Sequence, residues 1–419
     1  MWNAPKRAGV RKTILVGTAA VMTLGAVVVV VDRQTKPVLI AGPMIQMPAP
    51  GLVVITWELD AFFSGATVLL TTSNSGRGFL QEADESQILD GRYEATFYGL
   101  PPGEPLTCHV LSHRLLWKTE VGEAFEFETP ATKGAAFRFI AFGDSGNGSN
   151  TQAALAERMA DDNPDLVIHV GDLIYPAGAR KDYLRNFYEP NADLIRTAFF
   201  MPSLGNHDCS TDGGRPMLRE FVLPENGPEG VEPERNYWFD FGDARFVALD
   251  TNPAGDKYAG VLSHDDMKTI VAPWLRKVLT NCDARWKFAY FHHPIYTGSI
   301  HQEIEHAYVK EAFLQVLEDT GVDIVFAGHN HLYERTAPMR RDAIVPEGKG
   351  VVFVTTGAGG VSRYEEKRHP DYMRVFNDEV FSYTRVDISG DRLQMEQISE
   401  NGRVLDRYEI VKSSAEPPV

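Results

Sequence analysis

The sequence predicts an α/β domain, preceded by a small all-β domain and an N-terminal apolar segment. Three observations carry this. Residues from about 45 to 130 contain short apolar runs of period two separated by turn signals. From Ala135 onward, short apolar strands alternate with helical segments. Ahead of both lies an uncharged run, Thr13 to Val31. A chain of 419 residues is also too long for one ordinary core, so two domains are expected.

Lys6, Arg7, Arg11 and Lys12 precede the apolar run, and Asp32 and Arg33 close it. As a helix the run would span about 28 Å at ~1.5 Å per residue, near the ~30 Å bilayer core. Two main readings follow for residues 1–36, a membrane anchor or a cleaved signal peptide, and both export the chain; a buried core helix is the remaining option. No clear Ala-x-Ala follows Val31, which favours the anchor.

A Pro-rich joint comes next (Pro37, Pro43, Pro48, Pro50). Val53, Ile55 and Trp57 then begin the period-two pattern, followed by Val68–Thr72, Tyr93–Phe97, Thr107–Leu111 and Phe125–Thr129. The spacing predicts a β-sandwich over 45–131 with no catalytic spacing in it. In the second domain, 134–412, the strands are Phe137–Phe142, Leu166–Val170, Phe246–Leu249, Phe288–Phe291, Asp323–Phe326 and Val351–Thr355. Asn150 or Thr151 is expected to cap a helix through about Met159, and further helices are expected over Asp266–Leu279 and Glu305–Leu317. Tyr383–Ile388, Leu393–Gln397 and Leu405–Ile410 read as closing strands.

Composition is that of a folded protein, 43% hydrophobic and 23% charged, with no internal repeat. The net charge of −16 argues against a nucleic-acid backbone as partner. A phosphate ester binds to such a protein only where cations sit locally. Cys108, Cys209 and Cys282 give no disulfide framework and read as small buried side chains. Asn147-Gly-Ser149 matches a glycosylation acceptor, but its place beside Asp144 favours chance.

Chemistry concentrates at strand ends. Five segments hold acids, an amide and imidazoles: Gly-Asp144-Ser-Gly, Gly-Asp172-Leu-Ile-Tyr175, Gly-Asn206-His207-Asp208, His292-His293-Pro and Gly-His329-Asn-His331. Carboxylate oxygen with imidazole nitrogen suits Fe, Zn or Mn. A carboxylate such as Asp172 can bridge two ions, and His329-x-His331 puts two imidazoles on one loop. The preceding glycines are expected to let the backbone turn sharply. Each segment alone is an ordinary loop, but their order and placement after apolar strands point to a metal site.

These segments, in this order, resemble the signature of the calcineurin-like metallophosphoesterases. Tyr175, three residues after Asp172, and His301, nine after His292, resemble the purple acid phosphatases in particular. The resemblance covers about 45 to 412, since the all-β domain is similar to the fibronectin-III-like domain of the plant-type enzymes. It implies a metallophosphoesterase-type β-sheet sandwich flanked by helices. It further implies Asp144, Tyr175 and His331 on a first metal, Asn206, His292 and His329 on a second, and Asp172 between them. Fe(III) is implied in the first position and Zn, Fe or Mn in the second. His207 and His301 would stand near the substrate phosphate as candidate proton donors, with Asp208 a candidate to orient His207. The implied reaction is hydrolysis of a small phosphate monoester by in-line attack of metal-activated hydroxide. The rivals are a phosphodiesterase or nucleotide hydrolase on the same site, and an anchored, non-catalytic binding protein. His293, the acid-free Gly357-Ala-Gly-Gly360 and Leu106 depart from the plant-type pattern, the first two at positions that bear on substrate preference.

Overall fold

Among the described residues, eight strands build the N-terminal region: β1 (Leu39–Ala49), β2 (Leu52–Leu59), β3 (Gly65–Thr72), β4 (Gly78–Glu82), β5 (Arg92–Tyr98), β6 (Pro105–His113), β7 (Lys118–Glu120) and β8 (Phe125–Glu128). This computed structural model describes residues 38–49, 51–60, 65–84, 91–113, 118–255, 260–365 and 368–412. The apolar run and its basic flank lie outside the described residues, as do the side chains of residues 300–302. Among the described residues, no helix is long and apolar enough to cross a membrane.

β1, β2 and β5 form one antiparallel sheet, and β4, β3, β6 and β7 another, with β8 also on β6. Period-two alternation is plain in β6, whose even positions Leu106, Cys108 and Val110 are buried. The Pro-rich joint is itself a strand. β1 tolerates Pro43 and Pro48 because it is an edge strand, and its pairing with β2 shifts register three times along its length.

The second region has two mixed sheets. One has the order β11-β10-β9-β21-β22-β23, made of β9 (Phe137–Phe142), β10 (Leu166–His169), β11 (Phe199–Pro202), β21 (Ser382–Ser389), β22 (Arg392–Ser399) and β23 (Val404–Val411). The other has the order β12-β13-β14-β15-β19-β16-β20. Its strands are β12 (Tyr237–Phe241), β13 (Ala244–Ala248), β14 (Trp286–Tyr290), β15 (Ile324–Ala327), β16 (Tyr333–Thr336), β19 (Val352–Thr356) and β20 (Met373–Asn377). A small ribbon of β17 (Met339–Arg340) and β18 (Ala343–Ile344) stands apart. β9, β10 and β11 are parallel, and so are β13, β14, β15 and β19.

The sheets meet face to face. Phe139 of β9 packs edge-on against Phe246, Phe288 and Phe326, with ring centroids 5.2, 5.2 and 5.9 Å away. Helices cover the far face of the seven-stranded sheet. Leu275 and Leu279 of the helix Ala272–Thr280, with Phe313 and Leu317 of Ala307–Asp319, bury against Val247, Ala289 and Val325. Strands covered on both faces are largely apolar: β15 is so throughout, and β14 carries one charged residue, Lys287, which donates to the Thr320 carbonyl.

Helix boundaries differ from expectation in three places. Ser149, not Asn150 or Thr151, caps the helix Asn150–Asp161, accepting from the Gln152 N–H. Ser263 and Asp266 form a reciprocal cap, which starts the next helical stretch at His264. The stretch expected from Glu305 is two helices, Ile300–Glu305 and Ala307–Asp319, broken at His306.

The all-β region is docked on the second region by buried charge. Arg92 donates to the Glu220 carboxylate at 3.1 Å and to its carbonyl at 2.6 Å, and Tyr188 donates to the same carboxylate at 2.8 Å. Arg180 of the second region pairs with Glu58 of β2 at 3.2 Å.

Candidate metal centre

Every candidate ligand sits just past the C-terminal end of a parallel strand, where loops leave a rigid sheet. Asp144 follows β9, Asp172 and Tyr175 follow β10, and Asn206 follows β11. His292 follows β14, and His329 and His331 follow β15. The seven side chains therefore come from both sheets and meet across the seam between them.

They meet as two clusters. In the first, the Tyr175 hydroxyl lies 2.7 Å from Asp172 Oδ2, 3.3 Å from Asp144 Oδ1 and 3.0 Å from His331 Nε2. His331 Nε2 is 3.4 Å from Asp144 Oδ1. In the second, Asn206 Oδ1 lies 2.9 Å from His292 Nε2 and 2.8 Å from His329 Nδ1. The two imidazole nitrogens are 3.2 Å apart, and His292 Nε2 is 3.4 Å from Asp172 Oδ1. Asp172 thus gives one carboxylate oxygen to each cluster. Bonds of about 2.1 Å at roughly 90–110° place neighbouring donors roughly 3.0–3.4 Å apart around one ion. Five of the eight spacings fall in that range, and the other three, 2.7, 2.8 and 2.9 Å, lie just below it.

Proton bookkeeping agrees. His292 Nδ1 faces the Val170 carbonyl at 2.9 Å, so that nitrogen carries the hydrogen. In the neutral ring Nε2 is then a lone pair aimed at the lone pairs of Asn206 Oδ1. The Tyr175 hydroxyl has one proton for two carboxylates and an imidazole. Such acceptor-rich knots suit cations. Without a metal they take protons instead: burial pulls the His292 imidazole down, but the charge and hydrogen bond of Asp172, with Asp144 and the Val170 carbonyl, together push it up to about 9. Burial would raise Asp172, but His292 and His207 hold it well below the usual carboxylate range. Burial, then Asp172 and Asp144, push the Tyr175 phenol well above its ordinary value, so a phenolate there needs a cation.

The local backbone is unusual at the ligands themselves. Asp144, Asp172 and His329 have φ of 58°, 55° and 68°, left-handed values uncommon outside glycine. Of the preceding glycines only Gly171 shares that sign. The rest are required by space. A Cβ on Gly205 would lie 2.0 Å from Asp172 N, and one on Gly328 would lie 2.6 Å from Asp144 Oδ2. The glycines thus serve close approach more than turning. Backbone amides hold the acids: His329 N–H donates to Asp144 Oδ2 and His207 N–H to Asp172 Oδ1.

His207 covers the first cluster. Its ring lies 4.3 Å from that of Tyr175, and Nε2 is 4.0 Å from Asp172 Oδ2. Nδ1 donates to the Pro176 carbonyl at 2.6 Å. Asp208 does not orient it. That carboxylate accepts from the Gly205, Leu173 and Ile174 amides and ties the loops after β10 and β11 together. His301 lies in the helix Ile300–Glu305, and its side chain is outside the described residues. All three cysteines are free, with Cys108 and Cys209 buried. Asn147 spends its amide on the Gly360 and Val361 carbonyls, a structural use of the glycosylation pattern. Ser362 and Tyr364 were not foreseen. Ser362 Oγ lies 2.7 Å from His331 Nδ1, and the Tyr364 ring stacks on His331 at 4.1 Å. The only hint of them was the Gly-rich segment just before.

Two sheets, parallel strand ends and paired donor clusters define a metallophosphoesterase domain. Residues 137–333, a little under half of the chain, match the family described as calcineurin-like phosphoesterase. Several of the relatives the chain resembles are named purple acid phosphatases. Purple acid phosphatase 23 of Arabidopsis thaliana is 29% identical over 279 residues, 57% of this chain and 57% of that protein. The chain thus spans little more than half that relative's length. A nucleotide pyrophosphatase/phosphodiesterase of Hordeum vulgare is 27% identical over 333 residues, 68% of this chain and 86% of that one. The purple acid phosphatase PPD1 from yellow lupin (Lupinus luteus) seeds superposes with a TM-score of 0.73 at 18% identity, covering 90% of this chain and 75% of that one.

Proposed function

We propose that this protein is a dinuclear-metal hydrolase of small phosphate monoesters, of the purple acid phosphatase kind. The observation that carries the reading is the pair of donor clusters sharing Asp172. Asp144, Tyr175, His331 and Asp172 Oδ2 would hold the first ion, and Asn206, His292, His329 and Asp172 Oδ1 the second. A hard trivalent ion such as Fe(III) suits the first set, with its two carboxylates and phenol, and Zn, Fe or Mn suits the second. The ions would supply positive charge for the phosphate oxygens and acidify a water. The chain's own residues do the rest. His207, oriented by Pro176 and seated over Tyr175, is placed to give a proton to the departing alkoxide. Asp208 and the Val170 carbonyl keep the ligand loops and the His292 ring in register.

Hydrolysis of diesters or nucleotides on the same site is the second reading, favoured by the name of the Hordeum relative. The export reading rests on the apolar run and its basic flank. The testing experiment is a visible spectrum with metal analysis on a fragment starting near Lys36, followed by matched monoester and diester assays. A violet band, close to two metals per chain and preferred monoester turnover are expected. Colourless protein with two Zn or Mn ions would remove Fe(III) and Tyr175 from the reading, and diester preference would replace the substrate class.

A further inference from the structure

Behind the second cluster lies a layer of imidazoles that the catalytic reading does not use. His293 and His306 are both buried, and their rings are 4.4 Å apart. Both touch the ring of His329, at 4.8 and 4.7 Å. His293 also contacts the ring of its neighbour His292 at 5.0 Å. One ring nitrogen each from His292, His293 and His329 falls within 4.8 Å of the others. His293 is itself held. Thr251 Oγ1 lies 2.9 Å from its Nδ1 and accepts its backbone N–H at 3.3 Å, while the Thr251 carbonyl accepts from Tyr308 at 2.8 Å.

The first cluster is supported differently. The ring neighbours of Tyr175 and His331 are His207 and Tyr364, and His331 Nδ1 faces Ser362. Neither His293 nor His306 is among those contacts.

We propose that His293, braced by Thr251 and packed with His306, is a positioning residue for the second metal alone. It holds the His292 and His329 rings in the orientation that binds the ion, so that binding does not have to freeze them. The inference rests on the dinuclear reading above and deepens it: the two ions are held by separate supports and differ in how they respond to substitution. The groups that brace ligating histidines typically govern metal affinity about 10–100-fold.

The test is metal retention, read apart from turnover. Holoprotein of wild type, His293→Phe and Thr251→Val, each loaded with Fe(III) and then Zn(II), is dialysed against graded chelator. Metal per chain is measured together with the visible band that reports Tyr175. His293→Phe is expected to release one metal at roughly 10–100-fold lower chelator concentration and to keep the other. Thr251→Val, which preserves shape, should shift the same metal in the same direction and carries the test if the Phe variant does not fold. Wild-type retention of both metals in either folded variant overturns the proposal. Equal loss of both metals also overturns it, since that marks general packing. A wild-type protein that holds fewer than two metals fails earlier, and fails the dinuclear reading itself.

Discussion

His207 and Gly205 show what single residues do at this site. The Nε2 side of His207 faces the first cluster, yet the imidazole lies outside both donor sets. His207→Ala should therefore keep both metals and lower kcat by roughly 100-fold; metal loss in that variant would reassign His207 to binding. Gly205 has no room for a methyl group, because its Cβ would collide with Asp172 N at 2.0 Å. Gly205→Ala should lose metal as well as stability, by at least about 2 kcal/mol, seen as a lower Tm with a falling metal count. At this scale the candidate ligands were legible because each is a polar residue closing an apolar strand. The reason for the glycines was not, since the left-handed backbone sits on Asp144, Asp172 and His329. Pro176 was not legible either, because a carbonyl that orients an imidazole leaves no trace in side-chain chemistry.

Elements were readable where one period dominates. β15 stands out as an unbroken apolar run, β9 and β14 as apolar runs each holding one basic residue (Arg138, Lys287), and β6 as a strict alternation of burial. β1 was hidden by its prolines, which an edge strand with register shifts accepts. The break at His306 falls inside an apolar-periodic stretch and follows from tertiary packing. Loop charge adds a prediction. Burial pushes the Glu234 carboxyl up to about 7, with Leu223 N–H pulling against it and Glu225 adding repulsion. The unfolded chain loses this proton near pH 4.5, so stability falls as pH rises from there through about 7. Glu234→Gln keeps the acceptor for Leu223 and should raise Tm at pH 8, by the equivalent of about 1–2 kcal/mol after discounting for partial exposure, and change little at pH 4. Equal Tm values at pH 8 would show that the group is not under this strain.

At the scale of the molecule, the two regions are less separable than their sequence patterns suggest. Met44, Ile45 and Phe97 of the all-β region belong to the same buried apolar cluster as Phe139, Phe199 and Phe221. Glu220 is buried between two arginines, Arg180 on its own side and Arg92 across the junction. A fragment of residues 134–412 is therefore expected to be insoluble or to melt well below a fragment of residues 38–412, because it exposes that cluster and strips a buried carboxylate of a partner. A soluble, metal-replete 134–412 fragment would make the sandwich a detachable module.

The seam between the sheets has a further consequence. Asp144, Asp172, Tyr175 and Asn206 hang from one sheet and His292, His329 and His331 from the other. Each cluster draws on both, so each bound ion would act as a rivet through the two layers. Removing metal should then do more than stop turnover: it should let the layers slip. Chelation is expected to lower Tm in proportion to the logarithm of free metal, about 4 kcal/mol of lost linkage for each ~1,000-fold excess over Kd. Hydrogen exchange should quicken first at the ends of β9, β10 and β15, while the outer strands β22 and β23 keep their protection. A chelated protein with uniform protection and unchanged Tm would mean that the layers hold together without rivets.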